Sequence, residues 1–148
     1  MPSRFRSRQQ ALQTLFLWDI RKMPMHEAIA SFYGSLASEA AEPVSEADPF
    51  GEELAYGASG QVEEIDATIG RHSAHWRIDR MPLVDRNILR LAAWEMKNMA
   101  TPAAVVIDQA LELAKRFAGE ESIPFLNGVL DAINLEVQKA RGSRAAGS

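Results

Sequence analysis

The chain has 148 residues, of which 47% are apolar and 24% are charged, and its formal net charge is −4. This length and balance are typical of one folded domain and exclude an intrinsically disordered chain. Because the sequence contains no cysteine, disulfides, a thiol nucleophile and thiolate zinc ligands are also excluded.

The first third of the chain has the pattern of two helices followed by a loop. The first helix has an apolar face of residues at helical spacing, namely Ala11, Leu12, Leu15 and Phe16. Pro24 ends this helix, and a second helix is predicted from about Met25 to Leu36. The segment from Ala37 to Ala47 is acidic, rich in small residues and interrupted by Pro43, which predicts a loop.

A third helix is predicted to begin at Asp48 and Pro49. Aspartate caps free backbone N–H groups, and proline is tolerated at the first helical position. The apolar stripe that follows continues to about Arg71, so we expect one helix over this range. Gly57 and Gly60 lower its stability but allow another helix to approach closely.

The second half of the chain has the pattern of three further helices. After a short turn or helix near residue 78, a helix is predicted from about Val84 to Met99. The next begins after the pair Thr101–Pro102 and stops at Gly119. The last begins at Ser122, which is expected to cap it.

These segments together predict an all-α domain of six to seven helices over residues 1–141, followed by a flexible tail at residues 142–148. No long stretch alternates apolar and polar residues with the two-residue period of a strand. No apolar run approaches the roughly 20 residues of a membrane span, and no apolar segment follows the basic start. We therefore expect a cytoplasmic protein without a secretory signal or a membrane contact.

Catalytic and metal-binding patterns are weak. His72 and His75 have the spacing of some metal ligands, but no third ligand is near them in sequence, so they are interpreted as surface histidines. Asp79 and Asp85 stand among arginines and are interpreted as surface ion-pairing groups. The sequence has no phosphate-binding loop, nucleophile elbow or dinucleotide motif. We expect no enzymatic activity, no metal and no cofactor.

Charge is distributed unevenly along the chain. Residues 39–66 carry nine acidic residues and no lysine or arginine, whereas the start is basic, with Arg4, Arg6 and Arg8 in its first turns. Arginine offers planar donors to phosphate, and a helix N-terminus adds partial positive charge. Gln9 and Gln10 supply further polar groups. The start is therefore a candidate RNA surface, and a merely solvated helix start is the alternative.

Several blocks of sequence resemble the NusB family of transcription antitermination factors. They occur in the family's order and cover nearly the whole chain, except for a weaker region between about Ala37 and Ser59. The blocks are Arg8–Phe16, Arg80–Glu95, Thr101–Pro102, Val105–Ala110, Leu113–Phe117 and Phe125–Asp131.

The resemblance implies a compact all-α fold of two packed helical bundles that acts without catalysis. It implies binding of boxA RNA in nascent ribosomal transcripts together with the ribosomal protein NusE. That assembly helps RNA polymerase to pass terminators. The RNA contacts that it implies fall on both ends of the chain, at Arg4, Arg6, Arg8, Phe16, Glu121, Ser122 and Phe125. Phe16 replaces the family's frequent tyrosine, and Pro124 replaces a position that is often basic.

The start of the last helix also suits RNA on physical grounds. Free N–H groups at a helix N-terminus near Ser122 bind phosphate oxygens, and Phe125 can stack on an unpaired base. The alternative for Phe125 is a core position. Glu121 repels phosphate but can accept a hydrogen bond from a base edge.

The protein partner is expected on another surface, the helix that starts near Val84. Asp85, Arg86 and Arg90 are predicted to be exposed there.

Two other functions stay open at this point. The same helical domain occurs fused to ribosomal RNA cytosine methyltransferases, although this chain shows no cofactor-binding domain. A homodimer that hides the RNA surface is the second alternative.

Overall fold

The computed structural model describes residues 3–39, 48–74 and 76–147. Seven α-helices and one short 3-10 helix, but no strand, occur in these described ranges, which confirms the all-α prediction. The predicted loop at 37–47 lies mostly outside them, as does His75. The helices are α1 (Arg4–Arg21), α2 (Met25–Glu39), α3 (Pro49–Gly60), α4 (Val62–His72), α5 (Leu83–Asn98), α6 (Ala103–Phe117) and α7 (Ser122–Gly147), with the 3-10 helix (Ile78–Arg80) before α5.

Side-chain caps begin two of these helices. The Ser3 hydroxyl accepts a hydrogen bond from the backbone N–H of Arg6 at the start of α1. The Asp48 carboxylate accepts from the backbone N–H of Gly51 at 3.1 Å, with Pro49 in the first position of α3. The predicted start at Asp48 is therefore confirmed.

The single helix predicted from Asp48 to Arg71 is wrong, because Gln61 leaves the helical conformation, with φ −116° and ψ 26°, and separates α3 from α4. Gly57, in the last turns of α3, lies directly against the ring of Trp94. A Cβ atom at Gly57 would lie 2.1 Å from the Trp94 ring. The glycine therefore allows α3 to contact α5 closely, while its low helix propensity favours an early end to α3.

The helices form two packed groups, as predicted. Helices α1, α2 and α3 contact one another, and α4 to α7 form the second group. Helix α5 lies between the groups, since it contacts α1 and α3 as well as α4, α6 and α7. The core contains aliphatic side chains from both groups, including Leu15, Leu54, Ile65, Ile69, Ile88, Leu89, Leu113, Leu126, Leu130 and Ile133.

The last two helices are separated at Gly119. Its φ of +133° is unfavourable for other residues, which explains the predicted stop. Helix α7 then continues through residue 147, so residues 142–147 have helical backbone where the sequence analysis expects a flexible tail. Arginine and alanine in this segment favour a helix. Of the described helices, none is both long and apolar enough to cross a membrane.

Candidate nucleic-acid interface

The start of α1 presents two exposed arginines. Arg4 and Arg6 are both exposed, and the first turn of α1 contains no acidic residue that would neutralise its positive end. The guanidinium carbon of Arg4 lies 3.9 Å from the centre of the Phe50 ring on α3. This contact leaves the Arg4 donors free for an anion while it orients the side chain.

Arg8 is predicted to contact RNA phosphate, but the structure places it in the interior, paired within the protein. The side chain is 5% exposed and binds Glu95 on α5 with two hydrogen bonds, of 2.9 Å from Nε and 2.6 Å from Nη2. Its Nη1 donates to Gln109 on α6 at 3.3 Å. Because Arg8 precedes Leu12 and Leu15 by four and seven residues, it shares their inward face. Arg8 therefore joins α1, α5 and α6.

Phe16 lies in an apolar cleft between the two helical groups. The cleft has a volume of about 350 Å³ and is lined by Leu12, Gln13, Phe16, Leu17, Phe32, Val84 and Phe117. We call it the interbundle cleft. Four of its residues come from α1, at the spacing of one helix face. Phe16 is half-buried there, with part of its ring available to a ligand.

The predicted RNA residues of α7 lie in a second cleft, the α7 cleft. Its volume is about 360 Å³, and it is lined by Trp76, Pro82, Leu83, Val84, Asp85, Phe117, Ala118, Glu121, Ser122 and Phe125. Glu121 is exposed, whereas Phe125 is half-buried and packs against the core while facing the cleft. The cleft can therefore present an aromatic ring to a base.

Ser122 does not use its hydroxyl to cap α7. The hydroxyl donates instead to the two carboxylate oxygens of Asp85 on α5, at 3.2 and 3.0 Å. Burial raises the pKa of Asp85, the Ser122 hydrogen bond opposes that rise, and the nearby charge of Glu121 adds to it. The α7 cleft therefore contains a buried carboxylate that favours donor groups of a ligand.

Val84 and Phe117 line both clefts, so the two clefts adjoin each other. We call the joined surface the Val84–Phe117 groove. It brings together Phe16 and Phe125, predicted for RNA, with Val84, predicted for the protein partner. These three residues are at least 41 positions apart in sequence, so only the packing of α1, α5, α6 and α7 places them on one surface.

Two exposed aromatic residues of the groove were not predicted as site residues. Trp76 is 48% exposed and Phe117 is 37% exposed. Phe117 continues the apolar stripe of α6, a pattern that is typical of core positions. It is exposed because α6 ends at this residue. The interruption of the helical pattern at Gly119 was the signal that could have identified it.

The predicted exposure of Asp85, Arg86 and Arg90 is wrong. Asp85 and Arg90 are buried, and Arg86 is half-buried. Val84, the fourth predicted partner residue, lines the groove with an uncharged side chain. Helix α5 lies between the two groups, so its polar side chains face neighbouring helices rather than solvent.

The arginines of α5 form an internal network with Asp19 on α1. Arg86 donates to both Asp19 oxygens at 2.7 Å, and Arg90 donates to Asp19 at 3.1 Å and to Asp66 on α4 at 2.8 Å. Burial raises the pKa of Asp19, but hydrogen bonds from Arg86 and Asn87 outweigh it and hold the pKa below its ordinary value. The network therefore joins α1, α4 and α5.

Comparison with known proteins identifies the family. The sequence profile of the NusB family matches residues 6–134. The chain belongs to the NusB family. It is 53% identical to the transcription antitermination protein NusB of Solibacter usitatus over 137 residues, which cover 93% of this chain and 92% of the relative. It is 37% identical to NusB of Bacillus subtilis, over 90% of this chain and 96% of the relative.

Solved NusB structures have the same fold. A structure of T. maritima NusB superposes with a TM-score of 0.77 at 29% identity, over 91% of this chain and 92% of that one. A complex of NusB and NusE with double-stranded RNA contains a chain that superposes with a TM-score of 0.76, also at 29% identity, over 91% and 99% of the two chains. The NusB-like arrangement of two helical groups is therefore confirmed.

Proposed function

We propose that this NusB-family chain acts in transcription antitermination by binding boxA-type RNA jointly with a ribosomal protein of the NusE type. The observation that carries the proposal is that the two clefts adjoin at Val84 and Phe117, which places residues suited to both ligands side by side. The similar structure that contains NusB, NusE and RNA supports the same pair of ligands.

The groove offers different chemistry to the two ligands. The exposed Phe117 and the half-buried Val84 at its centre suit an apolar anchor of a protein. Phe125 suits an unpaired base, and Asp85 suits a donor group on a base or a basic side chain. Arg4 and Arg6, at the start of α1, supply the charge that RNA phosphates require.

The role is proposed to be one of assembly rather than catalysis. The chain would bring RNA and the ribosomal protein together as part of an RNA polymerase antitermination complex. The alternative, an RNA-binding part of a ribosomal RNA methyltransferase, is less well supported. The relatives from Solibacter and Myxococcus are matched over 92% and 99% of their own length and are antitermination proteins.

A pair of matched variants tests the groove. Phe117 is 37% exposed in the groove, and Leu135 is 65% exposed on α7, about 15 Å further along the helix than Phe125. Phe117→Ser is expected to weaken partner binding at least about 10-fold, since an aromatic residue at the centre of an interface contributes strongly. Leu135→Ser is expected to leave it unchanged.

Binding is measured by calorimetry with purified NusE protein, with circular dichroism to confirm that both variants are folded. Equal affinities for Phe117→Ser and the unmodified protein would place the partner on another surface. Light scattering in the same buffer checks for a homodimer. A dimer that dissociates when the partner is added would show that self-association and partner binding use the same groove.

A further inference from the structure

Arg116, in the last turn of α6, contacts the start of α1. Its guanidinium carbon lies 4.6 Å from the centre of the Phe5 ring. Its Nη1 donates to the side-chain oxygen of Gln9 at 3.5 Å, the long end of hydrogen bonding. Phe5 and Gln9 are four residues apart and lie on one face of α1. The side chain of Arg116 therefore lies on α1 between its basic start and the interbundle cleft.

The charge of Arg116 is available to a ligand, unlike that of several other arginines. Arg8, Arg86 and Arg90 each form bidentate hydrogen bonds with a carboxylate inside the protein. Arg116 is exposed and forms no ion pair with any residue in the described ranges. A guanidinium that lies on an aromatic ring keeps its edge donors and its outer face free.

The same arrangement occurs at the other side of the α1 start. Arg4 lies over the ring of Phe50 at 3.9 Å, so two arginines stacked on phenylalanines flank the first turns of α1. Arg116 is also adjacent in sequence to Phe117, which lines both clefts of the Val84–Phe117 groove. It therefore occupies the interval between the exposed arginines of α1 and the aromatic residues of the groove.

We infer that Arg116, held by Phe5 and Gln9, is an RNA-binding residue that contacts a phosphate and stacks on an unpaired base. The inference rests on the proposed function and extends it, because it connects the α1 start and the α7 cleft into one RNA path across α6. The planar guanidinium gives two separable contributions. One is the charge, which lysine also supplies, and the other is the stacking face, which lysine lacks.

Three variants of α6 separate these contributions. The probe is a fluorescently labelled single-stranded boxA-type RNA, titrated in the presence of NusE protein at several salt concentrations. Arg116→Gln is expected to weaken binding about 10-fold and to reduce the salt slope by about 0.7, the contribution of one phosphate in a single strand. Arg116→Lys is expected to keep the slope but to lose part of the affinity, since it loses the stacking face.

Lys115 supplies the matched control. It is exposed one residue earlier on α6 and pairs with Glu112 on the same helix, at 3.2 Å. Lys115→Gln is expected to change the affinity less than two-fold, as a rough bound for a solvated charge away from the contact. Both positions are exposed, so the melting temperatures of the three variants are expected to stay within about 2 °C of that of the unmodified protein.

The inference is overturned if Arg116→Gln keeps the affinity and the salt slope of the unmodified protein, in an experiment in which the unmodified protein binds the RNA and Arg4→Gln weakens that binding. Arg116 is then not an RNA contact. The proposed function then stands without it. If the unmodified protein fails to bind the RNA even with NusE, the proposed function is wrong and the inference is overturned with it.

Discussion

Removing the positive charge of Arg8 is expected to destabilise the fold rather than to act on RNA binding directly. Arg8→Met leaves the Glu95 carboxylate, which is 1% exposed, in the interior without its partner. In the described part of the chain, both Glu95 oxygens accept side-chain hydrogen bonds from Arg8 alone. Breaking a buried ion pair in this way costs about 3–5 kcal/mol. At about 2–4 °C per kcal/mol for a domain of this size, the melting temperature falls by roughly 6–20 °C.

A double variant distinguishes the uncompensated charge from lost packing. Arg8→Met combined with Glu95→Leu removes both charges and is expected to recover most of the lost stability, because apolar replacements of a buried pair are often neutral. Unfolding is followed by circular dichroism in urea, and RNA binding is measured at a temperature where every variant is folded. Unchanged stability of Arg8→Met together with weakened RNA binding would contradict the placement of Arg8 and restore it as an RNA ligand.

Three further changes test other parts of the structure. Gly57→Ala places a methyl group within 2.1 Å of the Trp94 ring and is expected to cost about 1–3 kcal/mol in urea unfolding. Burial raises the pKa of the Asp85 carboxyl, so the ionised form destabilises the fold at pH 7, and Asp85→Asn is expected to be more stable than the unmodified protein at that pH. The unmodified protein is expected to gain stability as pH falls toward the raised pKa, and the variant is expected to lack this gain. Hydrogen bonds from Arg71 lower the pKa of Glu136 from 4.5 to about 2, so its contribution to stability is present above pH 4.5 and is lost as pH falls toward 2. Glu136→Gln is expected to be less stable at pH 7 and to lack this acid dependence.

Each of these three predictions has an outcome that would contradict it. Wild-type stability of Gly57→Ala would contradict the close contact of α3 with α5. A lower urea midpoint for Asp85→Asn at pH 7 would show that the ionised carboxylate stabilises the fold. An unchanged acid profile for Glu136→Gln would mean that its pairing with Arg71 and His72 contributes nothing measurable.

The sequence predicts helix type and most helix boundaries because these depend on local signals. The Asp48–Pro49 start and the Gly119 stop are caps whose chemistry acts within one turn. The division of α3 from α4 was missed because the apolar stripe continues through both helices. The break at Gln61 has no local signal in this stripe, and the contact that holds α3 on α5, between Gly57 and Trp94, joins residues 37 positions apart in sequence.

The site was predicted less completely because exposure depends on how the helices pack. Arg8, Asp85 and Arg90 have charged side chains, which are usually exposed, but each of them is buried and hydrogen-bonded to a partner on another helix. Since those partners are distant in sequence, no local pattern indicates the pairing. Ser122 and Phe125 were assigned to one RNA surface through the family resemblance, whereas Val84 was expected on another surface, and only the packing of the helices places it beside them. The contacts of all three with RNA or a partner remain predictions.

The proposed function requires that one groove serves RNA and a ribosomal protein together. Fluorescence anisotropy of a labelled boxA-type RNA, measured with this protein, with NusE protein and with both, is the decisive experiment. We expect tighter binding by the pair than by either protein alone, because the RNA contacts both proteins at adjoining surfaces. Absence of any binding with the pair, for a protein that circular dichroism shows to be folded and helical, would contradict this function.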